Sequence, residues 1–285
     1  MTTPRTASQS AALNFPEPTP LAESSPQALV SQSLLQAKRI LTGWSRNRSA
    51  ILQALLYPAV MMLMFRIVLG GSIDATSAIT QQRGIFGTVP MMCLVGAMSG
   101  SSISAMGIQR DRETGLLGRF AAMPVNRTSD LLGRLLAEAA RLITTVALIL
   151  AVGVFLGFRF EKGLLSGLGM PLVVLVFGMS FVMAMTAIAT VMKGPQIVML
   201  VMVCTTLLMF FNSGFVPIMA YPQWLQPFVA NQPISCAINA MRALTDARYP
   251  GTLAEPLTKT LLWSAGLLAL SIRGAVKGYH RAAAD

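Results

Sequence analysis

The sequence predicts an all-α polytopic membrane protein with six transmembrane helices, and three observations carry that expectation. Uncharged apolar runs recur along the 285 residues, most of them close to the ~20 residues a helix needs to cross a bilayer. Charged residues make up 12% of the chain, about half of the ~25% usual in a soluble domain. Lys and Arg gather in alternate connecting segments, the asymmetry that orients membrane proteins. A mean hydropathy of +0.61 points the same way.

Residues 1–26 are rich in Pro, Ser, Thr and Ala and are expected to be a disordered cytoplasmic tail, since they carry too little apolar surface to order themselves. No apolar core follows the early arginine, so they do not read as a signal peptide. Residues 27–48 read as an amphipathic interfacial helix. Val30, Leu34, Ala37, Leu41 and Trp44 recur at helical spacing, with Lys38, Arg39 and Arg46 on other faces, a pattern suited to lying in the inner membrane interface. Residues 49–274 hold the spans, at about Ala50–Leu69, Ile85–Ile108, Leu135–Phe158, Leu164–Met192, Gln196–Phe215 and Leu257–Ile272. Arg66 falls near one end of the first, where it can snorkel to the headgroups. Residues 275–285 are expected to be a second cytoplasmic tail.

With the N terminus inside, the inner segments carry Lys38, Arg39, Arg46, Arg48, Arg110, Arg112, Arg119, Arg127, Arg134, Lys193, Arg273, Lys277 and Arg281. The outer ones carry fewer, offset by Asp74, Glu161, Asp246 and Glu255. The sequence therefore places both termini in the cytoplasm and the protein in the plasma (inner) membrane. The net charge of +11 reflects this distribution rather than a nucleic-acid surface, because no basic face interleaved with aromatics occurs.

Several chemistries are excluded. No GxxxxGK(S/T), HExxH or GxSxG motif is present, so P-loop ATP hydrolysis is not available to this chain. Three cysteines (Cys93 and Cys204 in apolar runs, Cys236 in a late loop) and the single His280 are too few for a structural zinc site. The spans are nearly free of ionisable groups. Glu138 and Arg141, spaced i, i+3 at the inner end of the third span, read as a salt bridge on one helix face with no partner from another span, not as an ion relay.

The most informative segment is the inner loop RDRETGLLGRFAAMPVNRTSDLLGRLL, 110–136. Leu116, Leu117 and Phe120 share one face of an amphipathic stretch that ends at Met123-Pro124. An exposed apolar face in such a loop offers a surface to a soluble partner. Farther on, Pro217, Pro222, Pro227 and Pro233 break any continuous helix over 217–244, Trp224 suits the outer interface, and a helix restarts before Arg242.

The run RETGLLGRFAAMPVNR resembles the RExGxLxxLxxxPvsR signature of ABC-2 type permeases, particularly the daunorubicin-resistance (DrrB/DrrC-like) exporters. SGFVPIMAYPQWLQPFVANQPISCAINAMRAL, 213–244, is similar to that family's segment between spans five and six. The N-terminal amphipathic helix and GFRF at 157–160 add to the resemblance, which covers about 28–281. Gly118-Arg119 departs from the Glu-Arg pair of many members.

The resemblance implies a type V exporter-like fold and a dimer of permeases, the second being the same chain or a paralogue. It also implies two separate ABC ATP-binding subunits that hold the ATP and Mg, so this chain would bind no cofactor itself. Arg112, Glu113, Gly115, Leu116, Leu117, Phe120 and Pro124, within the loop 110–134, would couple to the ATPase. The interfacial helix with Lys38, Arg39 and Trp44 would touch the same subunit. Pro222, Trp224, Pro227, Pro233 and Arg242 would belong to an outer re-entrant segment.

Nineteen methionines suit either a surface for varied apolar partners or ordinary helix packing. The small residues of span two, from Gly96 to Gly107, suit close helix approach or a polar strip along a substrate path. The expected function is the permease of an ATP-driven exporter for a bulky hydrophobic or amphipathic molecule, a complex envelope lipid or an anthracycline-like drug. A membrane scaffold or sensor that contacts an ATPase without net transport is the alternative. The purified chain, free of any ATPase subunit, is expected to release no phosphate from ATP above a buffer control; saturable hydrolysis would contradict this.

Overall fold

The computed structural model describes residues 25–47, 49, 52, 56–78, 83–115, 127–192 and 195–282, which are helical throughout with no strand among them. The helices are α1 (Pro26–Arg46), α2 (Tyr57–Ala78), α3 (Ile85–Glu113), α4 (Arg127–Phe155), α5 (Leu164–Val191), α6 (Pro195–Phe210), α7 (Gln226–Asn231), α8 (Pro233–Thr245) and α9 (Ala254–Ala282). Three of them are long and apolar enough to cross a membrane, over Ile85–Glu113, Ser129–Phe155 and Ser166–Val191. The apolar stretches Tyr57–Val68 and Gln196–Phe210 are shorter.

The long helices alternate in direction, and α3 lies at their centre, packed against α2, α4, α5, α6 and α8. Nineteen of its residues are buried, a run that includes Phe86 to Met98. Helix α9 lies along α5, where Gly274 meets Ala187. At the end of the bundle that carries α1, Gln109 of α3 donates to the carbonyls of Ala189 (2.6 Å) and Met192 (2.9 Å). That amide covers carbonyls at the C terminus of α5 that have no partner within the helix. At the opposite end, Arg83 pairs with Glu161 at 2.9 Å, and the Trp263 indole donates to Asn231 at 2.9 Å.

Helix α1 begins at Ser25-Pro26, whose serine hydroxyl accepts from the Ala28 amide at 3.1 Å, while the proline occupies the first turn, where an amide is dispensable. It docks on α4 through its small residues: Ala28, Ser33 and Ala37 are buried, and Gly133 sits close against Ser33, Gln36 and Ala37. The leucine stripe turns outward instead, with Val30, Leu34 and Leu35 more than half exposed. Of the stripe Val30, Leu34, Ala37, Leu41 and Trp44 read from the sequence, Ala37 packs on α4 with Ala28 and Ser33, because small residues let the two backbones approach.

The ion pair of α4 departs from its sequence reading. Arg141 and Glu138 pair at 2.9 Å, but both are deeply buried. The guanidinium also donates to the Gly96 carbonyl (3.1 Å) and the Ala97 carbonyl (3.2 Å) of α3. Another helix does supply a partner, in the form of backbone oxygens whose second lone pair is unused by the helix. Gly100 makes this possible: a Cβ there would lie 1.8 Å from the Arg141 guanidinium. Backbone acceptors leave no side-chain signal, so the sequence could not show them.

Other boundaries shift for simple reasons. Helix α2 continues past the expected Leu69 to Ala78, and α9 extends beyond both ends of the expected Leu257–Ile272, since backbone hydrogen bonding persists where the apolar run stops. Residues 50, 51 and 53–55 of the first expected span lie outside the described residues, as does the 1–24 tail. Arg66 lies beside Ile85 and Leu156, level with the ends of α3 and α4. Cys236 sits within α8 and is buried, not in a loop.

Gly100→Val should lower the thermal midpoint of the purified protein. Overpacking alone costs about 1–3 kcal/mol, and the displaced guanidinium would lose its acceptors in surroundings that water cannot repair. Gly107→Ala serves as the control, because a Cβ there meets nothing within 4 Å and should leave the midpoint unchanged in a detergent melt.

Candidate functional site

A cleft lies between α2, α3 and α6. It has a volume of about 370 Å³. Its long wall is one face of α3, where Met91, Val95, Met98, Ser102 and Met106 follow at helical spacing, a run that covers about 22 Å of helix. Met61 and Phe65 of α2 and Met202 and Met209 of α6 close the sides, and Phe215 stacks on Phe65 at 4.6 Å. Seven of the lining residues are methionines, whose unbranched thioethers adapt to irregular apolar shapes.

Among the described residues, the Tyr57 phenol is the one ionisable side chain that lines this cleft, and the polar side-chain atoms of the lining are hydroxyls. Ser99, Ser102, Thr205 and Thr206 each donate to a carbonyl of their own helix, so what they offer inward is acceptor lone pairs. The arrangement can hold an apolar body and accept hydrogen bonds from it. It has no group for acid–base or nucleophilic chemistry.

The two readings of the small residues in span two therefore apply to different faces of one helix. Gly96, Ala97 and Gly100 pack against α4 and α5, Ser99 and Ser102 line the cleft, and Ser104 and Gly107 line a separate polar cavity. The methionines divide in the same manner: Met170 and Met185 are core, while Met61, Met106, Met202 and Met209 border the cleft.

The residues singled out for ATPase coupling fall at the α1 end. Arg112 donates to the Thr190 carbonyl of α5 at 3.4 Å, Glu113 is the exposed last residue of α3, and Gly115 follows with φ +68. That left-handed conformation ends the helix and suits glycine. Leu116, Leu117, Phe120 and Pro124 lie outside the described residues. Lys38 is exposed and Trp44 is half-buried on α1.

Between these residues stands an ionic cluster that the sequence reading missed as a unit. Arg134 bonds Asp111 at 2.5 Å and Asp130 at 3.4 Å, and Arg39 reaches Asp130 at 3.3 Å. The cluster ties the two flanks of the 110–134 loop to each other and to α1. The i, i+4 spacing of Asp130 and Arg134 was a usable signal; the long-range partners were not.

At the opposite end, Pro222, Trp224 and Pro227 are exposed, and Pro233 opens α8. Arg242 is buried: it lies against Gly87 of α3 and donates to the Gly214 carbonyl at 3.4 Å. Ser213 links the turn after α6 to α8 through Ser235 (3.1 Å) and Asn239 (3.0 Å), and the Tyr221 hydroxyl donates to the Asn212 carbonyl at 3.0 Å. Among the described residues, no group of three His, Cys, Asp or Glu side chains is placed to hold a metal ion.

Among the described residues, three helices are long and apolar enough to cross a membrane, and a long apolar cleft lies beside one of them. The chain belongs to the ABC-2 type transporter family, which it matches over residues 31–245. It is 35% identical over 263 residues to the probable doxorubicin resistance ABC transporter permease protein DrrC of Mycobacterium tuberculosis (strain ATCC 25618 / H37Rv), covering 92% of this chain and 93% of that protein. It is 29% identical over 217 residues to the daunorubicin resistance ABC transporter permease protein DrrB1 of Streptomyces coeruleorubidus, covering 75% of each. The doxorubicin resistance permease DrrB of M. tuberculosis is 29% identical over 248 residues, 79% of this chain and 84% of its own length.

The buried Arg242 yields a test. Arg242→Met should loosen the α3–α8 contact and lower the thermal midpoint, whereas Arg248→Met, at an exposed position, should not. Equal melts for the two variants would show that the α3–α8 seat does not depend on the guanidinium.

Proposed function

We propose that this chain is the membrane permease of an ATP-driven exporter and carries a bulky apolar or amphipathic molecule out across the plasma membrane. The observation that carries the reading is the methionine-lined cleft between α2, α3 and α6. It is long and apolar, with no carboxylate, ammonium or guanidinium among the described residues that line it, a lining suited to a large hydrophobe. An anthracycline-like drug is the substrate class favoured by the names of the relatives. A complex envelope lipid would share the cleft but would find no residue in it placed for a charged headgroup.

In this reading α2, α6 and α9 join α3, α4 and α5 as six spans, α1 lies at the cytoplasmic interface, and both termini are cytoplasmic. The 110–134 loop seats on an ABC ATP-binding subunit, which holds ATP and Mg, and the complex contains two such subunits and a second permease, the same chain or a paralogue. The exposed apolar faces of α2 (Val60, Met64, Ile67) and α6 (Met199, Val203, Leu207) border the cleft and are available to that second permease.

Three measurements test this. Reporter fusions at Pro222 and at the C terminus should give outer and inner signals respectively; an outer signal at the C terminus would overturn the topology. In vesicles containing the cognate ATPase, Ser102→Trp should block the cleft and cut ATP-dependent uptake of a fluorescent anthracycline by about tenfold or more, with ATPase recovery unchanged. Uptake equal to wild type would remove the cleft from the path, and no uptake by the wild-type complex would favour the scaffold or sensor. Leu116→Asp should reduce co-purification of a tagged ATPase by the ~2 kcal/mol or more of an interface hot spot; full recovery with substrate-stimulated hydrolysis would withdraw the coupling role from this loop.

A further inference from the structure

A second cavity, of about 280 Å³, opens where α1, α3 and α4 meet, on the other side of Ile103 from the methionine cleft, which that residue also lines. Ile40 and Trp44 of α1 and Ile103 of α3 form its apolar walls, and Ser104, Gly107 and Glu138 border its inner part. Arg39, Asp111 and Arg134 also line it, and they are engaged in the ionic cluster described above. Glu138 is different. Its Oε2 accepts from Arg141 at 2.9 Å, whereas its Oε1 is buried without a hydrogen-bond donor. Glu138 is 2% exposed, and a buried carboxylate oxygen left unmet costs more than almost any other polar omission.

We propose that this cavity is a binding site for an organic ammonium ion carried on an apolar body, with the ammonium on Glu138 and the body against Trp44. An ammonium supplies the missing donor as a charge-assisted hydrogen bond, about twice as strong as a neutral one. An aromatic face beside a carboxylate is the pairing that recognises organic cations in desolvated sites. The Arg141 guanidinium is turned toward the carbonyls of α3, and Glu138 is among the residues that line the cavity. Ile40 and Ile103 suit a hydrocarbon or aryl group. The site does not depend on the export reading, because it is defined on this chain alone.

The test uses the full chain in phosphatidylcholine nanodiscs without any ATPase, titrated with 4-fluorophenethylammonium and followed by fluorine NMR. 4-Fluorophenethyl alcohol, of the same shape but uncharged, and phenyl phosphate are the controls. The ammonium should bind saturably and at least about tenfold tighter than the alcohol. Glu138→Gln should abolish that preference. Gly107→Leu should block binding by filling the cavity; it touches no ion pair, and its Cβ meets nothing within 4 Å, so it keeps the test valid even if Glu138→Gln fails to fold. Equal binding of ammonium and alcohol, preference for the phosphate, or undiminished ammonium binding in Gly107→Leu would each overturn the proposal and leave the cavity to water. With the cognate ATPase present, ATP-driven uptake of the bound amine would identify cargo as the source of the ligand, and binding without uptake would identify a resident amine.

Discussion

The seating of two arginines on α3 is the constraint on which the rest of the architecture depends. Arg141 from α4 and Arg242 from α8 enter the bundle from opposite ends, and each lies over a glycine of α3, Gly100 and Gly87 respectively. Their guanidinium groups donate to backbone oxygens, Arg141 to Gly96 and Ala97 and Arg242 to Gly214. A charge deep in a bundle is tolerable only with such partners, since removing one member of a buried pair costs about 3–5 kcal/mol. The two seats hold α4 and α8 at one depth and one rotation relative to α3, which pure apolar packing, being non-directional, would not do.

With α3 held in this way, its faces separate into distinct roles. The glycine and alanine face packs on α4 and α5. The methionine and serine face is left to the cleft, and the Ser104–Gly107 edge borders the ionic cluster. Because 3.6 residues make a turn, neighbouring positions such as Ser101 and Ser102 serve different surroundings. A single helix thus runs from the cleft to the Asp111–Arg134 pair, which ties its end to α4.

Some residues were readable before any coordinates. The breaks at Pro217, Pro222 and Pro227 followed from the missing amide and the fixed φ of proline, and the structure places only short helical pieces there, Ile218–Ala220 and Gln226–Asn231. The helix that restarts before Arg242 was legible for a similar local reason; the Ser25-Pro26 onset of α1 was not, since both residues were assigned to the tail that precedes the helix. The buried state of Arg242 was not legible either, because a position in a restarted helix does not say which neighbour that side chain meets. Arg134 was counted as an orienting charge; nothing in its spacing from Asp111, with the whole loop between them, announces a 2.5 Å ion pair.

What the sequence determined by itself is the class of protein: long uncharged runs, few charges, basic inner segments and a loop motif follow from transfer free energies and local geometry, which are additive along a chain. What only the tertiary structure decided is which face of each helix meets which neighbour. The leucines of α1 turned outward and its small residues inward, Glu138 and Arg141 went into the bundle, and the methionines divided between core and cleft. These outcomes depend on backbone carbonyls, glycine clearances and the relative rotation of helices distant in sequence. None of those has a one-dimensional signature, since a carbonyl is present at every position and a glycine's empty side matters only once another helix fills it.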